Sequence, residues 1–375
     1  MEFIDLKAQY KAMEKEINAA IQNVLNHSGF IMGKEVAEFE GQLKEYVGSK
    51  YCVTCANGTD AMVMVLMAWD IKEGDAVFVP SFTYMSTAEV VSLRGATPVF
   101  VDIDIDTFNI DVESLEIAIK NVISKGELNP RAIIPVDLFG LPADYDKIIP
   151  LAKKYGLLVL EDGAQGFGGT LNGKRACSFG EASTTSFFPA KPLGCYGDGG
   201  AVFTDDEELY SILSSIRVHG KGSDKYDNIR IGLNSRLDTL QAAILLPKLK
   251  AFRDFEMDLR QEWADMYSEL LTDAVKVPVI PEGFSSSYAQ YTIMLENEER
   301  RNIVQSKLKE NDIPSMVYYQ KPLHLQTAYS HLRYADGSLP QSESASRRVL
   351  SLPMHPYLSE ESIESVVSII LDSVG

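Results

Sequence analysis

The chain is poor in the residues that build disulfide frameworks and metal centres. Its 375 residues include only four cysteines and five histidines. Cys52 and Cys55 form a C-x-x-C pair inside an apolar, strand-like run, where side chains three residues apart point to opposite faces. No second pair and no suitably spaced histidines complete a zinc site. We therefore predict reduced cysteines, no metal site and a cytoplasmic location.

Positive charge and long apolar runs are also scarce. The formal net charge is −18 at pH 7, which argues against binding to nucleic acid or to an anionic membrane. No apolar run approaches the roughly 20 residues that span a bilayer, and the N-terminus lacks the pattern of a signal peptide. No G-x-G-x-x-G turn follows the first strand-like run, which argues against a dinucleotide-dependent oxidoreductase. The composition is that of a globular chain, long enough for two lobes.

Short apolar runs alternate with helical patterns from residue 51 onward. The runs cover residues 51–55, 76–80, 98–102, 132–136, 157–161, 183–187 and 200–204. Helix-like segments near 60–70, 86–94, 111–123 and 144–155 separate the first five. Such continuous apolar runs indicate strands that are buried on both faces of a mostly parallel sheet covered by helices. We predict an α/β fold with seven strands, of which one is antiparallel because a loop joins the last two runs.

Further helices are predicted on both sides of this region. They cover residues 11–26, 34–47, 206–218 and a long stretch from 238 towards 272. Beyond Pro281, strand-like segments at 288–295 and 315–319 mix with helical ones at 298–311, 342–350 and 359–373. We predict a large domain over residues 1–250 and a smaller α+β domain over residues 251–375.

Polar residues follow several strand-like runs, at the carboxyl ends where open α/β sheets bind their ligands. These residues are Gly58, Thr59, Tyr84, Asp162, Gln165, Ser186 and Lys191. Pro189 and Pro192 bracket Lys191 in a glycine-rich turn. A lysine held in such a turn can lose its proton and form a Schiff base with an aldehyde. A solvated lysine explains the turn equally well when the turn is considered alone.

The other polar residues supply what pyridoxal phosphate (PLP) requires. Gly58 and Thr59 open a helix whose N–H groups bind phosphate, and Ser186 adds a hydroxyl. Asp162 supplies a carboxylate for the pyridine nitrogen, which makes the ring an electron sink. Tyr84 can stack on the ring, and Gln165 can cover it or bond its oxygen. Helix capping and core packing explain each residue singly, but together they predict a PLP site with Lys191 as its covalent residue.

A basic segment lies between residues 217 and 236, in contrast to the acidic remainder of the chain. Its cationic residues are Arg217, Lys221, Lys225, Arg230 and Arg236. This local positive charge can attract an anionic substrate. A solvated basic loop is the alternative interpretation. Arg236 is the residue that we assign to a carboxylate, because a guanidinium binds a carboxylate in a bidentate manner.

The sequence resembles the DegT-type sugar aminotransferases over nearly its whole length. The most specific motifs are 56–61 (ANGTDA), 82–84 (FTY), 161–165 (EDGAQ), 186–194 (SFFPAKPLG), 197–200 (GDGG) and 234–238 (NSRLD). The resemblance implies PLP-dependent transferase fold type I and a homodimer with shared active sites. It also implies that the partner subunit's Asn234 reaches the cofactor phosphate, and that the basic loop with Lys221 approaches the substrate.

Within the family the chain is most similar to enzymes that aminate UDP-2-acetamido-2-deoxy-3-oxo-glucuronate with L-glutamate, a step in surface polysaccharide (O-antigen) synthesis. Two positions depart from that branch. Tyr318, which precedes Tyr319 in a substrate-contacting motif, replaces a histidine, and Gly163 replaces an alanine. The identity of the sugar therefore remains open.

The alternatives are a different UDP- or dTDP-linked keto sugar, including 4-keto-6-deoxy sugars, and a PLP-binding regulator without turnover. The acidic charge and the lack of a basic DNA-binding segment count against the regulator. Lys191 argues against the sugar-dehydrating branch of the family, which has histidine there.

Overall fold

A computed structural model describes residues 1–224 and 226–374, and its centre is a seven-stranded sheet. The strands are β1 (Tyr51–Cys55), β2 (Asp75–Pro80), β3 (Thr97–Val101), β4 (Asn129–Ile133), β5 (Leu158–Asp162), β8 (Ala182–Ser186) and β9 (Gly200–Thr204). Their spatial order is β1-β9-β8-β5-β4-β2-β3. Only β9 runs antiparallel to its neighbours, β1 and β8. The predicted α/β fold is confirmed, and the antiparallel strand is one of the last two runs.

Helices cover both faces of this sheet. They are α3 (Lys34–Val47), α4 (Gly58–Ala68), α5 (Ser86–Leu93), α6 (Val112–Lys125), α7 (Tyr145–Tyr155) and α8 (Glu207–Ile216). The strand alternation sends Cys55 into the hydrophobic cluster with α4, α5 and α8, and Cys52 into the cluster with α3. The C-x-x-C pair therefore faces two different cores, as its spacing predicts, and all four cysteines are buried and free.

One predicted helix is divided in the structure, and another is continuous but contains a π-helical turn. The segment predicted at 11–26 forms α1 (Leu6–Ala12) and α2 (Glu14–His27). The segment predicted from 238 towards 272 forms α9 (Thr239–Ala251), a π-helical turn (Phe252–Glu256) and α10 (Met257–Leu271). The π turn lies between α9, which packs against the large sheet, and α10, which packs against the C-terminal elements. The predicted division of the chain at residue 250 falls beside this turn and remains our proposal.

The C-terminal elements surround a hydrophobic cluster of their own. They include β11 (Tyr291–Met294), α11 (Glu298–Glu310), α12 (Pro340–Arg348), β12 (Val349–Leu352) and α13 (Glu360–Val374). The strand predicted at 315–319 is wrong, because that segment makes only a single bridge, from Met316 to Ser351. The end of the helix predicted at 342–350 is also wrong, since Val349 already belongs to β12. Pairing with β11 outweighs the local helical pattern there.

A smaller sheet joins the large-sheet layer to the segment after α10. Its strands are β6 (Thr170–Leu171), β7 (Lys174–Arg175) and β10 (Phe284–Ser285), with β6 in the centre. These two-residue strands carry no periodic signal and are not predicted from the sequence. Throughout the described part of the chain, no helix combines the length and apolarity required to cross a membrane.

Candidate active site

The carboxyl ends of β1, β5 and β8 bring three predicted site segments to one edge of the sheet. Gly58 lies against Ser186, so that a Cβ at Gly58 would come within 2.8 Å of the serine Cβ. Gly200, the first residue of β9, lies against the same turn, where an added Cβ would be 2.5 Å from the carbonyl group of Asn57. The helix N-terminus at Gly58 and the Ser186 hydroxyl therefore border one small space.

This space has the donors that a phosphate requires. Asn57 caps α4, and its Oδ1 accepts the Asp60 N–H at 2.8 Å. The first N–H groups of a helix, here those of Gly58 and Thr59, have no intrahelical acceptor and carry the positive end of the helix dipole. The Ser186 hydroxyl accepts the Phe188 N–H at 3.2 Å, which leaves its own hydrogen free to donate.

Lys191 lies in a turn that backbone hydrogen bonds close tightly. Its N–H donates to the Phe188 carbonyl at 2.8 Å, and the Cys195 N–H donates to the Phe187 carbonyl at 2.8 Å. Burial lowers the pKa of the Lys191 ammonium to about 8, although the negative charge of Asp162 partly opposes this shift. With this pKa, about a tenth of the side chain is a neutral, nucleophilic amine at pH 7, and the fraction rises to about half at pH 8. Because Lys191 is only half-buried, a solvated lysine remains the alternative interpretation to a cofactor-binding one.

Asp162 is buried at the end of β5. Its Oδ2 accepts the Thr87 hydroxyl at 2.8 Å, and its Oδ1 accepts the Ala164 N–H at 3.3 Å. Burial raises the pKa of this carboxyl, while Thr87, Ala164 and the charge of Lys191 lower it. The sequence analysis missed Thr87, which lies within α5 and carries no signal that separates it from an ordinary helix residue.

Gln165 and Tyr319 form a partly buried contact that the sequence analysis did not predict. Gln165 accepts the Phe139 N–H through Oε1 at 2.7 Å and donates through Nε2 to the Tyr319 hydroxyl at 3.0 Å. The amide retains a second hydrogen, so the predicted bond to a ring oxygen remains open to it. The Tyr319 ring lies 6.3 Å from the Tyr84 ring, measured between centroids. Tyr84 itself is 61% exposed, and therefore has a free face for stacking.

Tyr318 packs against the N-terminal segment of the chain. Its ring meets Phe3 edge-on, with 6.3 Å between the centroids. The backbone of Phe3 is in turn fixed by the Met354 N–H, which donates to the Phe3 carbonyl at 3.3 Å. The N-terminal segment thus supports the position at which the chain departs from the related branch.

The basic segment is only partly available to a ligand. Arg217 is buried, and its Nη1 bonds Glu40 at 2.5 Å and the Thr54 carbonyl at 3.0 Å. Its inclusion among the residues of the basic segment that can attract an anionic substrate is therefore wrong, because its charge neutralises the carboxylate of Glu40. Lys221 is exposed and Arg230 is half-buried. Lys225 lies outside the described residues.

Asn234 and Arg236 flank a serine that reaches the turn before α4. Ser235 is fully buried, and its Oγ accepts the Ala56 N–H at 3.1 Å. Asn234 is exposed, and its Oδ1 accepts a hydrogen bond from Arg236 Nη2 at 2.5 Å. A single guanidinium hydrogen is used in that bond, so Arg236 keeps donors for a carboxylate.

Two buried polar clusters near the site were also missed. Behind Asp162, Asp137 lies close to Glu161. Burial and the negative charge of Glu161 raise the pKa of Asp137. At the end of β2, Ser81 Oγ contacts His324 Nδ1 at 2.6 Å, and His324 Nε2 contacts Glu343 at 3.1 Å. All three are buried, and in a hydrolase triad the serine bonds Nε2 while the carboxylate bonds Nδ1. Here the serine contacts Nδ1 and the carboxylate contacts Nε2, which is the reverse of that triad. The contacts connect the segment that contains His324 to the end of β2.

The residues present fit PLP. A helix N-terminus and a hydroxyl match a phosphate, a buried carboxylate matches a ring nitrogen, and a partly neutral lysine matches an aldehyde. Lys191 and Asp162 are close enough for the charge of each to shift the pKa of the other. The structure thus places Gly58 beside Ser186 and Asp162 near Lys191.

Comparison with known proteins agrees with this chemistry. The model of the DegT/DnrJ/EryC1/StrS aminotransferase family matches residues 11–371. The chain is 48% identical to the UDP-2-acetamido-2-deoxy-3-oxo-D-glucuronate aminotransferase of Pseudomonas aeruginosa, and the match covers 98% of each chain. It is 39% identical to the UDP-N-acetyl-3-dehydro-alpha-D-glucosamine 3-aminotransferase of Acidithiobacillus ferrooxidans, over 98% of this chain and 96% of the relative.

Solved structures of aminotransferases also superpose on the chain. A DegT/DnrJ/EryC1/StrS aminotransferase from Brucella abortus superposes with a TM-score of 0.96 at 53% identity, covering 100% of both chains. NtdA from Bacillus subtilis, solved with the bound cofactor PMP, superposes with a TM-score of 0.88 at 30% identity, over 99% of this chain and 83% of NtdA. The chain therefore belongs to the DegT/DnrJ/EryC1/StrS family of PLP-dependent aminotransferases.

Proposed function

We propose that this enzyme transfers an amino group from L-glutamate to the C3 keto carbon of UDP-2-acetamido-2-deoxy-3-oxo-glucuronate. The observation that carries the chemistry is the pairing of a partly neutral Lys191 with buried Asp162 beside an anion-binding helix N-terminus. The proposed acceptor rests on the 48% identity to the Pseudomonas aeruginosa enzyme of that name. The product is an amino sugar, and we assign it to cytoplasmic synthesis of a surface polysaccharide such as O-antigen.

Each residue contributes a separate function in this proposal. PLP, when bound, supplies an electron sink for the carbon that loses its proton. Lys191 would hold the cofactor covalently, and its Nζ, when freed as an amine, would accept the proton from the substrate carbon. Asp162 holds a proton on the pyridine nitrogen. Gly58, Thr59 and Ser186 hold the phosphate.

Other residues face the substrate. Arg236 binds a carboxylate, either that of glutamate or that of the uronic acid, through its remaining guanidinium hydrogens. Lys221, which is exposed on an acidic protein, attracts the nucleotide diphosphate. Tyr84 and Gln165 cover the cofactor ring, and Tyr318 and Tyr319 line the sugar side.

The active enzyme in this proposal is a homodimer in which the partner subunit's Asn234 bonds the cofactor phosphate. Support comes from apolar side chains exposed near the site and the basic loop. These are Phe30, Ile31, Met32, Tyr84, Phe188, Ile229 and Ile231. Exposed apolar surface of this kind marks an interaction surface. The outward position of Asn234, beside buried Ser235, suits a contact with a second copy.

The test separates the two halves of the reaction. Purified enzyme is reduced with borohydride and mapped by peptide analysis, and we expect label on Lys191. Release of 2-oxoglutarate is then followed first with glutamate alone and next with a panel of UDP- and dTDP-linked keto sugars. Double displacement predicts ping-pong kinetics. Label on another lysine, or no 2-oxoglutarate from glutamate, would contradict the proposed chemistry.

The sugar panel also tests the acceptor and Arg236. UDP-2-acetamido-2-deoxy-3-oxo-glucuronate is compared with UDP-N-acetyl-3-dehydro-glucosamine, which lacks the carboxylate. We expect the uronate to react with the higher kcat/KM. Arg236→Leu should remove this preference if Arg236 binds the uronate. It should instead impair the glutamate-only reaction if Arg236 binds the donor. Preference for a sugar without a carboxylate would replace the proposed acceptor.

A further inference from the structure

A second buried lysine contacts the turn that carries Lys191. Lys248 lies on α9, is fully buried and donates from Nζ to the carbonyl oxygen of Gly194. Its ammonium also lies 4.8 Å from the centroid of the Tyr196 ring. A buried ammonium carries a large desolvation cost unless partners compensate it, so a lysine in this place requires an explanation.

The carbonyl that Lys248 binds lies at the tightest point of the Lys191 turn. A Cβ at Gly194 would lie 2.4 Å from the Pro189 carbonyl oxygen and 2.6 Å from that of Phe188. The Phe188 carbonyl is the group that accepts the Lys191 N–H at 2.8 Å. A short path of direct contacts therefore runs from Lys248 through Gly194 and Phe188 to Lys191.

Besides Gly194 and Tyr196, the Lys248 ammonium has an acidic neighbour, Glu256. Glu256 is buried and attracts the ammonium electrostatically. The π turn after α9 places Glu256, and its Oε1 accepts Gln9 Nε2 at 3.0 Å and the Tyr357 hydroxyl at 2.8 Å. Other titratable groups that interact with this pair are Cys195, Tyr196 and Arg260. The N-terminal helix α1 and the C-terminal residues thus fix the anion that retains Lys248.

We propose that Lys248 is a positioning residue, whose buried ammonium holds the Lys191 turn at Gly194 in the geometry that proton transfer requires. It does not touch the substrate carbon or the cofactor. The proposal rests on the assignment of Lys191 made above. Misplacement of a reacting group by about 1 Å can cost on the order of 100-fold in rate, so a fixed turn has a kinetic consequence.

The test compares two lysines on the same helix. Lys248→Met keeps an unbranched apolar stem and removes the donor. Lys250→Met is the matched control, because Lys250 is exposed and pairs with Asp254 on the surface. For each variant, the borohydride-trapped fraction of Lys191 and the rate of 2-oxoglutarate release at saturating glutamate are measured. The rate is expressed per bound cofactor.

We expect Lys248→Met to bind and trap the cofactor at Lys191 but to react with glutamate about 10- to 100-fold more slowly per bound cofactor. Lys250→Met should match the wild type. A role confined to stability would lower the melting temperature and leave the rate per bound cofactor unchanged, and that outcome would overturn the proposal. An equal loss in Lys250→Met would overturn it as well.

Two further measurements keep the interpretation clear. If Lys248→Met does not fold, Glu256→Gln removes the counter-charge and should also slow the rate per bound cofactor several-fold. An unchanged rate in Glu256→Gln would then reject the proposal. If the wild type itself traps cofactor on a different lysine, the proposed function fails at Lys191. That result is distinct from a failure of Lys248 alone, because it appears without any substitution.

Discussion

The hydroxyl of Thr87 donates a hydrogen bond to Oδ2 of Asp162 at 2.8 Å, joining the first turn of α5 to the end of β5. Both side chains are buried. Burial raises the pKa of Asp162, and the Thr87 bond is the largest of the effects that lower it. Thr87 therefore helps to keep Asp162 ionised, and an ionised Asp162 is what a protonated pyridine nitrogen requires in the proposed site.

Thr87→Val tests this relationship with a side chain of nearly the same shape. Loss of a hydrogen bond to a charged group costs about 1.5–3 kcal/mol, so we expect the glutamate reaction to slow by about 10- to 100-fold. The measurement is the rate of 2-oxoglutarate release as a function of pH. Thr87→Ser keeps a hydroxyl and should restore most of the rate. Equal rates in the valine and wild-type enzymes would show that Thr87 only fills space.

The pH dependence of cofactor capture tests the state of Lys191. Because burial lowers its pKa to about 8, the neutral amine increases about tenfold per pH unit below 8 and then levels off. Mixing cofactor-free protein with PLP should give a capture rate with this profile, followed by visible absorbance. The charge of Asp162 raises the Lys191 pKa, so Asp162→Asn should move the plateau to lower pH. A capture rate that keeps rising towards pH 10 would contradict the lowered pKa.

Gly200→Ala tests the proposed phosphate site, because Gly200 packs against Asn57 and Gly58 at the start of α4. The added methyl would lie 2.5 Å from the Asn57 carbonyl group and 2.8 Å from the Gly58 nitrogen, which are backbone atoms that cannot rotate away. We expect the Kd for PLP to rise at least about tenfold, since the helix N-terminus must shift from its ligand. Gly41→Ala is the control, because it lies within α3 with no heavy atom within 4 Å of an added Cβ. Equal PLP affinity in the Gly200→Ala and Gly41→Ala variants would contradict the proposed binding of the phosphate beside Gly200.

His355 predicts how stability depends on pH. Burial and the positive charge of Arg260 together lower the pKa of this imidazole to about 4. Above pH 6.5 the ring is neutral in both the folded and the unfolded chain. As the pH falls from about 6.5 towards 4, the unfolded chain gains a proton that the folded chain does not, so stability is lost in this window. At pH 5.0 the loss from this residue is about 2 kcal/mol relative to pH 7.5.

Urea unfolding of the cofactor-free protein at pH 7.5 and pH 5.0 measures this loss. His355→Leu should reduce the difference between the two pH values by about 2 kcal/mol. His331→Asn serves as the control, because His331 is exposed and its removal should leave the difference unchanged. The same pH difference in wild type and His355→Leu would assign the acid sensitivity to other groups, among them buried His324, whose pKa is also lowered.

Much of the site follows from local sequence patterns. Gly58 and Thr59 follow an apolar run and open a helix, and Asp162 ends a buried run that contains no other acid except Glu161. Parallel strands bring their carboxyl ends together whatever the details of packing. The sequence order therefore predicts which residues meet at one edge, and the structure brings Gly58, Ser186 and Gly200 into contact there.

The sequence by itself thus determined the sheet, the residues at the strand ends and the choice of Lys191 as the lysine proposed to bind the cofactor, because these depend on periodicity and on neighbours along the chain. Only the tertiary structure decided which distant side chains form hydrogen bonds with the residues in and around the proposed site. Thr87 lies 75 residues from Asp162, Lys248 lies 54 from Gly194, and Arg217 lies 177 from Glu40. No local pattern marks such pairs, since their hydrogen bonds exist only after packing has removed water from both partners. For the same reason, Lys191 is an ordinary lysine in the sequence and becomes a partly neutral amine only in the folded protein.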